Sequence, residues 1–238
     1  MNKKILITGA GRGLGYELAK IFHIKNYDIY AVVRKESHSE MLQRTFKNAC
    51  YPIIANLNND NCIEIIRNYL GKNTKYIDIV INNAGMPGKE HQIQNVTTAE
   101  VYNLFNIHCL AVIRVVKATY DYLVESEDPK IVNISSRLGS LSKMASGEFI
   151  NRQFSYSYRI AKAAQNMLSI CLHEELKDSG IKVFALHPGK LKTKSGSIEA
   201  DTDASDSAKN IYDWIEKIDN NIDNEIKLIY PNKEIFEW

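Results

Sequence analysis

Polar and apolar positions along this chain follow two alternating rhythms: short apolar runs of strand length, then longer stretches with helical spacing. Residues 3–7 read as a buried strand, after which Leu14, Leu18 and Phe22 recur at the spacing of a helix face. A second strand is predicted over residues 27–33, a polar helix around 39–48, and a short third strand over 52–55. Ile63, Ile66 and Leu70 place a helix across residues 62–70, and residues 76–81 form a fourth strand. Thr97, followed three residues later by Glu100, is a capping-box signature that opens a long helix to about Leu123. Residues 130–134 give a fifth strand, and residues 137–157, with no clear period, read as a loop with some ordered turns. A helix over 158–176, stopped by Gly180, leads to a sixth strand at 182–186. A polar stretch runs to Ser205; Ala208, Ile211, Ile215 and Ile218 mark a last amphipathic helix, and residues 225–230 a seventh strand.

Strands and helices alternating at this interval are βαβ units. The predicted fold is α/β, a doubly wound parallel seven-stranded sheet flanked by helices. At 238 residues, without repeat or linker, the chain suits one domain. Ligands of such sheets bind beyond the carboxyl ends of the strands, near the point where strand order reverses. The sharpest polar clusters (residues 8–15, 34, 56–57, 82–85, 135–136 and 187–193) all fall at those ends.

Composition removes other function classes. The 30 basic and 28 acidic residues are mixed along the chain, for a net charge of +2, so no basic block points to nucleic acid and no polybasic tract to a membrane surface. No uninterrupted apolar run approaches the length of a spanning helix. Cys50, Cys62, Cys109 and Cys171 lie far apart and read as reduced thiols, and the expected location is the cytoplasm. The six histidines show no metal-ligand spacing, and no G-x-S-x-G elbow suggests a serine hydrolase.

Three stretches carry the candidate chemistry. Thr8-Gly-Ala-Gly-Arg-Gly-Leu-Gly15 joins the first strand to the first helix. A glycine-rich turn there aims backbone N–H groups at one spot beside the positive end of the helix dipole, a site for pyrophosphate. Gly9 would permit the sharp turn, Gly13 the approach to phosphate and Gly15 the close helix–sheet packing. After the second strand, where an NAD site usually has an acid, stands Arg34. With Arg12 in the glycine loop it offers guanidinium groups to a 2′-phosphate, which favours NADP(H) over NAD(H). Finally, Tyr158 and Lys162 are four residues apart on one helix face. A nearby ammonium, together with the positive charge of an oxidised nicotinamide, stabilises a phenolate and would bring the tyrosine's pKa down.

At this point the chain resembles the short-chain dehydrogenase/reductase family over essentially its whole length. T-G-x-x-x-G-x-G stands as Thr8 to Gly15, N-N-A-G as Asn82 to Gly85, and P-G-x-x-x-T as Pro188 to Thr193. Tyr158 and Lys162 match the family's tyrosine and lysine, Ser136 its serine, and Asn106 its helix asparagine. Tyr-Arg-x-x-Lys, Ser-Ser-x-x-Gly-Ser and the ending Ile-Phe-Glu-Trp238 look most like the carbonyl-reductase-like branch of sniffer and C-factor type.

The resemblance implies a reductase of aldehydes or ketones using NADP(H). Ser136 would polarise the carbonyl of a small-molecule substrate. Tyr158 would exchange the proton, Lys162 would bind the nicotinamide ribose and keep Tyr158 acidic, and Asn106 would hold a relay water. Asn56 and Leu57 would face the adenine, Asn83, Ala84 and Gly85 would pass beneath its ribose, and Leu14 would belong to the phosphate loop. Pro188, Gly189, Leu191 and Thr193 would surround the carboxamide. Two departures stand out: Asn56 replaces the usual acid, and 22 residues separate Ser136 from Tyr158, an insertion over 137–157. Residues 194–218 would supply a substrate loop and helix, and a homodimer or homotetramer is implied. The alternative is a catalytically silent NADP(H)-binding regulator.

Overall fold

The computed structural model describes residues 2–149, 154–192, 200–218, 226–231 and 234–238. Its eight strands are β1 (Lys4–Thr8), β2 (Asp28–Val33), β3 (Cys50–Ile54), β4 (Ile79–Asn82), β5 (Lys130–Ile134), β6 (Lys182–Leu186), β7 (Leu228–Tyr230) and β8 (Glu234–Phe236). They form one sheet in the order β3-β2-β1-β4-β5-β6-β7-β8. All pairings up to β7 are parallel, and the order reverses between β1 and β4. The eighth strand corrects the expected seven. It turns back antiparallel on β7, pairing Phe236 with Leu228, in a stretch too short for its alternation to be read.

Alternate side chains divide between the two faces. Ile5 and Ile7 of β1 join a core with α1 (Gly13–Ile24), α2 (Glu36–Phe46) and α8 (Ala204–Lys217). Leu6 points the other way, into a core with α3 (Cys62–Asn73), α5 (Ala111–Val124) and α7 (Tyr156–Leu176). Period-2 strands between amphipathic helices thus give three layers and two cores.

The helix predicted from Thr97 is present but not uniform. α4 (Thr98–Phe105) passes through a π-helical turn, Asn106–Leu110, into α5. Thr97 caps it by accepting from the Glu100 N–H at 3.1 Å. The Glu100 carboxylate goes elsewhere, accepting from the Lys89 N–H at 2.8 Å and the Ser157 hydroxyl at 2.6 Å. At 27 residues and a mean hydropathy of 1.3, the continuous helix is long and apolar enough to cross a membrane, which no single apolar run foretold. Its most apolar 18-residue stretch is half buried, and Val112, Val115 and Leu123 lie in the core beside the sheet.

The segment expected as loop holds a 3₁₀ turn, Arg137–Gly139, and a short helix, α6 (Leu141–Ala145). It is braced by the chain's last residues: the Ser140 hydroxyl donates to the Glu237 carbonyl at 2.7 Å, and the Ser142 N–H to the Trp238 carbonyl at 2.9 Å. Cys50, Cys62 and Cys109 are buried free thiols, and Cys171 is exposed.

Around the order reversal the backbone is packed without slack. A Cβ at Gly15 would fall 2.3 Å from the Gly9 carbonyl oxygen and 2.5 Å from Asn83 Nδ2. Gly15→Ala is therefore expected to destabilise the fold by about 1–3 kcal/mol, as overpacking does. Urea denaturation measures it, and an unchanged midpoint would contradict the packing described.

Candidate active site

Because β1 to β6 run parallel, their carboxyl ends open on one edge. Thr8, the last residue of β1, ties that edge together. Its Oγ1 accepts from the Asn83 and Ala84 N–H groups at 2.9 and 3.0 Å, while Asn83 Nδ2 donates to the Thr8 carbonyl at 2.9 Å. The N-N-A-G turn is thereby locked beside the glycine loop.

At that loop, Arg12 is the N-cap of α1 and makes no side-chain capping bond, and the helix's first turn has no acidic residue. The first N–H groups of α1 consequently face outwards beside its positive end. Gly13 is exposed with φ +55°, and no heavy atom lies within 4 Å of where its Cβ would stand. This cradle fits a pyrophosphate. Arg12 and Arg34 are both exposed, and among the described residues neither has an acidic partner within ion-pair distance. Leu57 is buried beside the exposed Asn56, whose Oδ1 accepts from the Asn58 N–H at 3.2 Å in a local turn.

On the far side of the reversal, Pro188, Gly189 and Leu191 follow β6. The Pro188 carbonyl accepts from the Ser207 hydroxyl at 2.6 Å, and Leu191 bridges to Thr202. Thr193, and residues 194–199 of the expected substrate loop, lie outside the described residues.

Between these walls the structure brings Ser136, Tyr158 and Lys162 together. A buried polar ladder sets the helix that carries two of them. Asn82 Nδ2 donates to Asn133 Oδ1 at 2.9 Å, Asn133 Nδ2 to Ser169 Oγ at 2.9 Å, and the Ser135 hydroxyl to Asn166 Oδ1. Lys162 Nζ, fully inside, donates to the Ile134 carbonyl at 2.6 Å and to Gln165 Oε1 at 2.8 Å. These bonds fix both the register and the rotation of α7 on β5. Tyr158, one turn earlier, then comes beside Ser136, close enough for the serine to lower its pKa, and has Lys162 Nζ 5.7 Å from its ring centroid.

In the protein alone, the electrostatics favour the neutral phenol. Burial pushes the Tyr158 phenol up to about 12, against the opposing pull of the neighbouring Ser136. Burial likewise brings Lys162 down to about 7. Desolvation outweighs the attraction between phenolate and ammonium, so the protein alone does not make this tyrosine acidic.

Asn106 sits in the π turn with its carboxamide bonded on both sides. Its carboxamide does not meet Lys162: Nδ2 donates to the Asn58 carbonyl at 3.1 Å, and Oδ1 accepts from Arg114 Nη1 at 2.7 Å. The residue of that turn that does reach the centre is His108, which sequence reasoning missed. Its ring stands edge-to-face on Tyr158, 5.3 Å between centroids. Nε2 lies 2.8 Å from the Met86 carbonyl and 3.3 Å from the Met86 N–H, and the buried Nδ1 has no partner among the described residues. Burial, and then the charge on Lys162, lower its pKa to about 3, so it is neutral. The π turn shifts the register of the helix by one residue, and no sequence period announces that shift.

Residues 3–204 match the short chain dehydrogenase family model. The chain belongs to the short-chain dehydrogenase family. This short-chain dehydrogenase is 32% identical over 133 residues to the C-signal protein of Myxococcus xanthus, covering 56% of this chain and 76% of that one. It shares the fold of the carbonyl reductase Sniffer of D. melanogaster, with a TM-score of 0.87 and 24% identity over 100% of both chains. An NADPH-bound carbonyl reductase from chicken fatty liver also superposes with a TM-score of 0.87, at 21% identity, over 100% of this chain and 99% of that one. The C-factor likeness named by the sequence motifs is thus met by a relative, and the carbonyl reductases share the fold.

Lys162 gives the site a measurable signature. Its folded pKa of about 7 lies below the ordinary 10.5, so between those values the unfolded chain binds the extra proton and stability rises with pH. The stability of the wild type relative to Lys162→Met should rise by about 1–3 kcal/mol between about pH 7 and pH 9, read by urea titration. A difference independent of pH would show the ammonium to be unperturbed.

Proposed function

We infer that this short-chain dehydrogenase is an NADP(H)-dependent oxidoreductase that reduces an aldehyde or ketone to the alcohol, and reversibly the alcohol to the carbonyl. The observation that carries this reading is the convergence of Ser136, Tyr158 and Lys162 beside a crevice whose opposite wall is a phosphate-accepting glycine loop. The NADPH named for the chicken-liver reductase agrees with it.

The glycine loop from Gly9 to Gly15 and the first turn of α1 would hold the pyrophosphate, with Arg12 and Arg34 clamping the 2′-phosphate. Asn56 and Leu57 would border the adenine, Asn83, Ala84 and Gly85 its ribose, and Pro188, Gly189, Leu191 and Thr193 the carboxamide. NADPH supplies the hydride, and its oxidised ring adds a positive charge near Tyr158. Ser136, beside Tyr158, would place a hydroxyl where a substrate carbonyl oxygen could accept from both. Tyr158 then gives its proton to that oxygen as general acid. Lys162 has two of its three N–H groups taken by Ile134 and Gln165, leaving the third for a ribose hydroxyl. Asn106 fits a positioning part, because its carboxamide is spent on the π turn's own support.

Purified protein mixed with NADPH and a panel of aldehydes and ketones tests the reading. Turnover should appear with the wild type and fall by about 100-fold or more in Tyr158→Phe, which still binds nucleotide. Nucleotide binding without turnover on any carbonyl would favour the silent regulator instead. Arg34→Ala should raise KM for NADPH by about 10-fold or more, the loss of a charge-assisted contact, and leave KM for NADH nearly unchanged. Equal effects on the two cofactors would remove the 2′-phosphate assignment.

A further inference from the structure

Arg114, four residues into α5, has a side chain only 11% exposed and makes no contact with the Ser136–Tyr158–Lys162 group. It reaches instead across two separate pieces of backbone. Its Nε donates to Asp60 Oδ1 at 2.6 Å, and its Nη1 donates both to the Leu57 carbonyl at 3.1 Å and to Asn106 Oδ1 at 2.7 Å. Asn106 Nδ2 closes the circuit by donating to the Asn58 carbonyl at 3.1 Å. Both hydrogens of Nη1 are thus committed, one to each side.

The ion pair does not account for this arrangement. Asp60 is 83% exposed, and a pair with so solvated a partner contributes little. The planar fork does what a lysine cannot, holding three acceptors in fixed directions. On one side of the fork is the loop after β3, beside the proposed adenine edge. On the other is the π turn, which two residues beyond Asn106 seats the His108 ring against Tyr158.

We propose that Arg114 is a positioning residue that couples the two ends of the crevice: filling the adenine side orders the π turn and, through His108, the seat of Tyr158. This rests on the cofactor reading above. The contacts form one continuous path of hydrogen bonds and ring packing, so any shift of the loop at residues 57–60 is felt at residues 106–110.

Hydrogen exchange on the full chain tests it, with NADP⁺ and with adenosine 2′,5′-bisphosphate, which reaches only the adenine side. In the wild type both should slow exchange at residues 8–15, and the bisphosphate alone should slow residues 106–110 about fivefold or more. In Arg114→Met the first protection should remain and the second disappear, with kcat lowered at saturating NADPH. Should that variant not fold, Arg114→Lys, which keeps the charge but cannot span three acceptors, carries the same comparison. Protection at 8–15 with no change at 106–110 in the wild type would overturn the coupling alone, as would a variant behaving like the wild type. No protection at 8–15 by either nucleotide would overturn the cofactor reading and the coupling with it.

Discussion

A lysine ammonium sealed between a helix and a strand is the constraint on which this structure turns. Desolvating Lys162 is costly, and the cost is offset only if Nζ finds acceptors inside the protein. It finds the Ile134 carbonyl and Gln165. That pairing admits one rotation of α7 against β5, and the asparagine–serine ladder admits one register. Tyr158 has no independent choice of position: one helical turn from a fixed lysine, it arrives on Ser136. Packing, polar satisfaction and reactive geometry here are a single solution rather than three.

The opposite wall is fixed by different means. No charge is buried at Thr8; one hydroxyl accepts two backbone N–H groups from the turn after β4. This draws the N-N-A-G turn so close to the glycine loop that a methyl group at Gly15 has no room. A rigid wall made of backbone suits a ligand recognised by its phosphates, and a wall keyed by a buried cation suits the end where protons move.

Much of this was legible in the sequence, for physical reasons. Strand and helix periods differ, so βαβ alternation identified the sheet, and motifs at strand ends marked one of its edges as the candidate site. Short elements escaped: β8 is three residues long, and α6 five, too few for a period to emerge. The direction of the Tyr158 shift in the protein alone was not legible, because a neighbouring lysine is visible in sequence and the depth of burial is not. His108 and Arg114 stayed hidden for a related reason. Their partners depend on a helix register displaced by the π turn, and Met86, Leu57 and Asp60 lie 22, 57 and 54 residues away.

The brace between residues 237–238 and the Ser140 turn makes one wall of the crevice depend on a distant stretch of chain. Ser136 stands four residues before a hydroxyl that is held by the carbonyl of Glu237. The clasp on that turn thus comes from residues 97 positions further along the chain. Trimming residues 237–238 would be no harmless shortening, because it would strip the Ser140 hydroxyl and the Ser142 N–H of the acceptors that hold them.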